Sequence, residues 1–196
     1  MFGLSDLISL VVSAFFILPI VIMLRQLGYV IAGSIVGAEN PRITFGSGPR
    51  VFKWKLFDVR KHYHLYSWYS YDRLKNQSKA AYVFVYLAPI LMNVVFGIVI
   101  NALMANGVIE TYETFWNRFI FYAFYYVLFD VLPMKTVDGK PNNGRLIFEM
   151  VKYGKRTDMN KEPFIPSTSG VEEAYQEERK RVEAKLKEMK QDQRSD

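Results

Sequence analysis

Cysteine is absent from the 196 residues, and histidine occurs only twice. Without cysteine the chain can form no disulfide framework, no thiolate zinc site and no cysteine nucleophile. Basic residues are missing as well from the segment NGVIETYE, which separates two long apolar runs. These absences leave a chain whose informative features are its apolar runs and the few polar residues inside them.

The first apolar run, residues 4–24, has no basic segment before it and no small-residue cleavage motif after it. A secretory signal peptide carries both features. About 20 apolar residues suffice to cross the hydrocarbon core of a bilayer. We therefore interpret this run as a retained transmembrane helix.

Two further apolar runs follow, at residues 80–106 and 115–133. Together with the first run they predict an α-helical polytopic membrane protein with three transmembrane helices. The membrane core is expected to cover residues 1–153. Residues 154–196 are rich in charge and are expected to form a linker and a charged helical tail.

Lysine and arginine are distributed unevenly around the predicted helices. Residues 37–79 contain nine basic and three acidic residues, and residues 134–196 contain fourteen basic ones. Loops rich in lysine and arginine stay on the cytoplasmic side. This predicts a multi-pass protein of the cell membrane with its N-terminus outside and its C-terminus cytoplasmic. The net charge of +6 then favours attraction to anionic lipid and not to nucleic acid.

Residues 41–72 alternate apolar or aromatic side chains with polar ones, the pattern of β-strands. The segment from Gly46 to Pro49 indicates a turn. Tryptophan and tyrosine are frequent here and favour the headgroup region. We expect a β-hairpin at the cytoplasmic membrane interface.

The tail begins a helix at Ser169, where Glu172 completes a capping-box pattern. Its apolar stripe is sparse, which favours a solvated helix. A helix that contacts a partner or the membrane surface is the alternative.

Four short motifs occur in order along the chain: RQLGY, FGSGP, LAPILMN and VDG. In order and spacing they resemble the site-2 protease family of intramembrane zinc metalloproteases. The resemblance covers roughly residues 18–148 and leaves the tail unmatched. It implies a site-2-protease-like core with an interfacial hairpin, and a site formed where the first and third helices meet.

The residues at the family's catalytic positions differ from those of the active enzymes. The resemblance places Arg25 and Tyr29 at the positions of the two zinc-binding histidines and Gln26 at the position of the general base. Asp138 stands at the third-ligand position, and Asp130 replaces an asparagine. Leu27 and Gly28 match the family, which implies that the framework remains while the chemistry is gone.

Arginine stays protonated and cannot bind zinc, and glutamine has no charge with which to act as a base. We therefore expect no catalytic residues, no cofactor and no metal. A buried charge within a membrane needs a partner, so one hypothesis is an ion pair between Arg25 and Asp138 with Tyr29 donating a hydrogen bond. The alternative is that Arg25 reaches to the headgroups.

A relocated metal site is a further alternative, formed by His62, His64 and Asp138. An i, i+2 spacing puts both histidines on one face of a strand, but no acid stands beside them to act as a base.

The leading functional hypothesis is a pseudoprotease that binds a transmembrane or peptide partner without cutting it. The expected binding positions are Arg25, Tyr29, Asn93, Asp130 and Asp138. Two alternatives stay open: an active metalloprotease with relocated ligands, and a structural subunit of a membrane complex. Membrane lipid is the other expected partner, and the sequence does not fix the oligomeric state.

Overall fold

A computed structural model describes residues 3–135, 139–154, 167–174 and 176–181. The N-terminal helical segment consists of α1 (Leu4–Val12), a π-helical turn (Ser13–Ile17) and α2 (Leu18–Val36). It is continuous and does not end at residue 24 as predicted. Gly37, with φ of 76°, accommodates the left-handed cap that ends α2.

The π-helical turn lies where polar groups meet the helix backbone. The Ser13 hydroxyl donates to the Ser9 carbonyl at 2.8 Å, and Arg118 Nη1 donates to the same carbonyl at 2.8 Å. Polar side chains that insert into a helical hydrogen-bond ladder are a recognised cause of such irregular turns.

Two antiparallel pairs of strands connect α2 to the next helix. The short strands β1 (Ala38–Glu39) and β4 (Arg73–Leu74) pair with each other, and the long strands β2 (Arg42–Trp54) and β3 (Phe57–Ser70) form the hairpin. The chain reverses at the predicted turn around Gly46–Pro49, because residues 43–45 run parallel to residues 57–59 while residues 52–54 run antiparallel to them. A second reversal, which the sequence did not predict, lies at residues 55–56. Gly46 and Gly48 have φ values of 86° and 88° and bend the strand.

The bend places the start of β2 inside the sheet. Ile43 faces both Tyr69 and Phe57, and Thr44 faces both Trp68 and Asp58. Residues 43–45 therefore have strand neighbours on two sides, which explains why Ile43 and Thr44 are buried while residues 50–54 at the other end of β2 are exposed.

Three helices complete the fold: α3 (Lys79–Ala105), α4 (Glu113–Val131) and α5 (Asn143–Tyr153). The Ser78 side chain caps α3, and the Asn142 side chain caps α5 by accepting from the Arg145 amide at 3.0 Å. Residues 169–174 and 176–181 are helical, within the predicted tail.

The predicted three-transmembrane-helix core is wrong. Within the described residues two helical segments are long and apolar enough to cross a membrane, Phe15–Val36 and Lys79–Ala105. The segment predicted as a third span forms α4 but does not qualify. Its charged residues Glu113, Arg118 and Asp130, with three tyrosines and one tryptophan, lower its hydropathy.

Two apolar clusters hold these elements together. The larger one joins α2, the sheet, α3 and α5, and includes the fully buried Tyr69, Tyr71 and Tyr86. The smaller one joins the π-helical turn, α2, α3 and α4 around Ile17, Val21 and Phe119. Both clusters lie along α2, so the polar residues of α2 are surrounded by packed elements.

Candidate functional site

Arg25 lies in the middle of the first candidate span and is not at its end. Its Nε donates to Asp130 Oδ2 at 2.5 Å and its Nη2 to Asp130 Oδ1 at 2.8 Å. The two side chains are 17 % and 10 % exposed. A two-point pair of this kind fixes both position and orientation, and it ties α2 to the end of α4.

The carboxylate that pairs with Arg25 in the structure therefore belongs to Asp130. Asp138, the partner in the hypothesis, lies outside the described residues. Arg25 also lies over the ring of Tyr29, 5.5 Å from its centroid, a distance typical of a cation–π contact.

Tyr29 connects α2 to α5 and to the sheet. Its hydroxyl donates to Asn143 Oδ1 at 2.5 Å. Its ring stacks on that of Tyr69 with centroids 5.4 Å apart. Burial raises the pKa of Tyr69 to about 12, so the Tyr69 hydroxyl stays protonated at neutral pH.

Gln26 faces the sheet from the same turn of α2. Its Nε2 donates to Ser67 Oγ at 2.7 Å, and the residue is 1 % exposed. Gln26 Oε1 is buried and has no hydrogen-bond partner among the described residues; the same holds for Asn143 Nδ2 and Asn93 Oδ1. Asn93 is buried on α3, but no described hydrogen bond links it to Arg25 or Tyr29.

Gly28 allows this cluster to form. A Cβ atom added at Gly28 would lie 2.7 Å from Pro89 Cα and 2.8 Å from the Ala88 carbonyl oxygen. The backbones of α2 and α3 therefore meet at Gly28 with no space for a side chain, the close approach that small residues permit in membrane helices.

Asn142 and Asn143 were missed by the sequence analysis. Asn142 Nδ2 donates to the carbonyls of Phe129 and Leu132, so its side chain joins the end of α4 to the start of α5. The signal that could have found it is the helix-capping pattern, an asparagine before an apolar helical segment. Ser67 and Tyr69 carried no such signal, because their neighbours on α2 are distant in sequence.

The residues at the predicted site do not fit zinc. Arg25 is a cation that already binds a carboxylate, and Gln26 and Tyr29 hydrogen-bond to Ser67 and Asn143. Within the described part of the chain no three histidine, aspartate or glutamate residues lie together in a way that could hold a metal ion. Of the relocated-site residues, His62 is exposed, while Asp138 and the His64 side chain lie outside the described residues.

An apolar cleft lies beside this cluster, between α2 and the hairpin. Its volume is about 220 Å³. The lining side chains are apolar or aromatic and come from both elements: Pro19, Ile22, Met23, Phe45, Phe57, Val59 and Tyr63. The cleft can accept one or two apolar side chains.

No family model matches the sequence, and no solved structure matches it. One relative is the uncharacterized membrane protein YwmF of Bacillus subtilis (strain 168), which is 27 % identical over 161 residues. The match covers 82 % of this chain and all of that protein. The relative is named as a membrane protein, and this chain has two helices that are long and apolar enough to cross a membrane. The chain is a membrane protein.

Proposed function

We propose that this chain is a non-hydrolytic relative of the site-2 proteases that binds a transmembrane or extended segment of a partner protein in the cell membrane. The proposal rests on the contacts that the residues at the family's catalytic positions make in this chain. Arg25, Gln26 and Tyr29 hold α4, the sheet and α5 onto α2. Residues that would perform hydrolysis in the family thus stabilise the fold in this chain.

The apolar cleft is the proposed binding surface. It is bounded by a candidate membrane helix on one side and by strands on the other. Among the described pairings, residues 52–54 pair with residues 57–59 alone, so one edge of the hairpin is open to strand addition. A membrane segment that unwinds beside this edge would insert apolar side chains between Met23 and Phe57.

The orientation forms part of the proposal. The Thr168 amide donates to the Gly48 carbonyl at 3.4 Å, and the Arg50 amide donates to Ser169 Oγ at 2.7 Å. The start of the tail therefore contacts the hairpin. This contact supports placing the tail and the hairpin on the same side of the membrane. Their shared excess of lysine and arginine favours the cytoplasmic side, and a crossing by residues 15–36 puts the N-terminus outside.

Site-specific photocrosslinking tests the proposal. A photoreactive phenylalanine analogue at Met23 samples the cleft, and the same analogue at Ile35 is the control, since Ile35 is 68 % exposed on the same helix but does not line the cleft. We expect Met23 to capture a protein with a membrane segment, at full length, and Ile35 not to capture it. Filling the cleft with Val59→Trp should abolish the capture.

Equal capture from Met23 and Ile35 would contradict binding in the cleft. Stoichiometric zinc in the purified protein, or partner cleavage that requires Gln26, would contradict a non-hydrolytic role.

A further inference from the structure

A second cavity, of about 320 Å³, lies on the hairpin and shares one lining residue, Phe57, with the apolar cleft. Five cationic side chains and one carboxylate contribute to its lining: Arg42, Arg50, Lys53, Lys55, Arg60 and Asp58. The excess of positive charge is concentrated in a concave surface, where it acts more strongly on an anion than the same charges on a flat surface would.

Asp58 organises the arginines without neutralising the cavity. Arg50 Nε donates to Asp58 Oδ1 at 2.8 Å and Arg50 Nη2 to Oδ2 at 3.2 Å, while Arg60 Nη2 lies 3.5 Å from Oδ2. One carboxylate thus serves two guanidinium groups. Arg42 pairs with Asp72 at 2.7 Å, outside the lining.

The inner wall of the cavity contains buried polar groups. Arg60 is 2 % exposed, and Thr44 is 1 % exposed. Thr44 Oγ1 has no hydrogen-bond partner among the described residues. Buried hydroxyl groups in proteins almost always have a partner, so an oxygen atom from a bound ligand would complete the bonding of Thr44.

We propose that this cavity binds the phosphate group of an anionic ligand. Guanidinium groups match the oxygen geometry of phosphate, and ammonium groups add charge without a directional requirement. The phosphate can come from a lipid headgroup or from a soluble molecule. Beside the cavity, Val51, Phe52 and Trp54 are 70 %, 53 % and 59 % exposed, which suits a surface at headgroup depth.

The test uses the purified full-length chain in detergent and two probes. The first probe is inorganic phosphate, titrated by calorimetry at low ionic strength. The second is phosphatidic acid added to the same detergent micelles, with retained lipid counted by native mass spectrometry. The variant Lys53→Gln/Lys55→Gln removes two charges from the cavity. Its control, Lys61→Gln/Lys75→Gln, removes two exposed charges from residues 37–79 that do not line the cavity.

We expect Lys53→Gln/Lys55→Gln to weaken binding roughly tenfold or more, since it removes two ammonium groups that can form charge-assisted hydrogen bonds with the phosphate. The control should stay within about twofold, because Lys61 and Lys75 do not line the cavity and act on the anion only through solvent, where salt screens them. If both probes bind, the phosphate group alone is sufficient for binding in the cavity. Binding of phosphatidic acid alone identifies a lipid headgroup.

Thr44→Val provides a second variant that leaves the charge unchanged. The free protein should keep its thermal stability, because the hydroxyl that is removed has no described partner. Its affinity for the probe should fall. Equal losses in the two lysine double variants, or failure of the wild-type chain to bind either probe, would overturn the proposal. None of these outcomes depends on the apolar cleft.

Discussion

Arg25 and Asp130 are 105 residues apart in the chain and form a two-point ion pair with N–O distances of 2.5 and 2.8 Å. The pair joins the middle of a candidate membrane helix to the end of α4. Removing one partner leaves the other charge buried without compensation. We expect Asp130→Ala to lower the free energy of unfolding by on the order of 3–5 kcal/mol. Unfolding in mixed micelles by titration with dodecyl sulfate measures the loss.

The double variant Arg25→Met/Asp130→Leu is the control for this pair. It removes both charges and keeps most of the volume, so its stability should lie close to that of the wild-type chain. If the double variant is as unstable as Asp130→Ala, the loss comes from packing and the ion pair is not its cause.

Gly28→Ala should separate α2 from α3. The added methyl group would meet backbone atoms of Ala88 and Pro89, which cannot rotate away. We expect a loss of about 1–3 kcal/mol, typical of overpacking. Gly97→Ala on α3 is the matched control, because the nearest atom there, at 3.0 Å, belongs to the movable side chain of Phe124. Equal effects of the two variants on the unfolding midpoint would contradict the close contact at Gly28.

Tyr29→Phe keeps the ring that stacks on Tyr69 and removes the hydroxyl that donates to Asn143. The amide of Asn143 then loses its described side-chain partner in a buried position. The expected loss is about 1–3 kcal/mol of unfolding free energy. Tyr153→Phe, at a residue that is 65 % exposed, should leave the unfolding midpoint unchanged, and a matching loss there would rule out the buried hydrogen bond as the cause.

Asp58 makes the hairpin sensitive to acid. Burial acts to raise the pKa of Asp58, but the hydrogen bond and charge of Arg50, with the charge of Arg60, lower it below the ordinary value. The stabilisation is therefore present above the unfolded pKa of about 3.9 and is lost as the pH falls through the lower folded pKa. Thermal unfolding below about pH 4 should show a steeper decline for the wild-type chain than for Asp58→Asn. Parallel curves for the two proteins would contradict this assignment.

The absence of cysteine makes orientation directly measurable. Single variants Gly3→Cys, Lys53→Cys and Glu173→Cys can be treated in intact cells with a maleimide that does not cross membranes. We expect Gly3→Cys to react and the other two to react only after the membrane is opened. Reaction of Glu173→Cys but not Lys53→Cys in intact cells would contradict the contact between tail and hairpin.

The sequence indicated the polar residues of α2 and Asp130, but not that Arg25 and Asp130 pair. Hydropathy placed Arg25 at a membrane boundary, because a charge usually ends an apolar run. In the structure the helix continues to Val36, and Asp130 supplies the opposite charge for Arg25 inside the fold. A partner more than a hundred residues away leaves no trace in local periodicity.

The turns of the hairpin show a similar limit. Gly46 and Gly48 were correctly identified as turn positions, because residues 43–45 and 52–54 run in opposite directions beside residues 57–59. The second reversal, at residues 55–56, contains no glycine, and Lys55 adopts φ of 40° there. Local propensity thus located the glycine turn and missed the reversal at Lys55.

The π-helical turn at Ser13–Ile17 separates two helical segments that need not share a common register. Because a π turn holds one residue more than an α turn, deleting one residue there should restore an α-helical path without rotating α1 relative to α2. Residues from Leu18 onward, including Arg25 and Tyr29, would keep their contacts. The chain can therefore change length by one residue at this point while the buried ion pair is inherited unchanged.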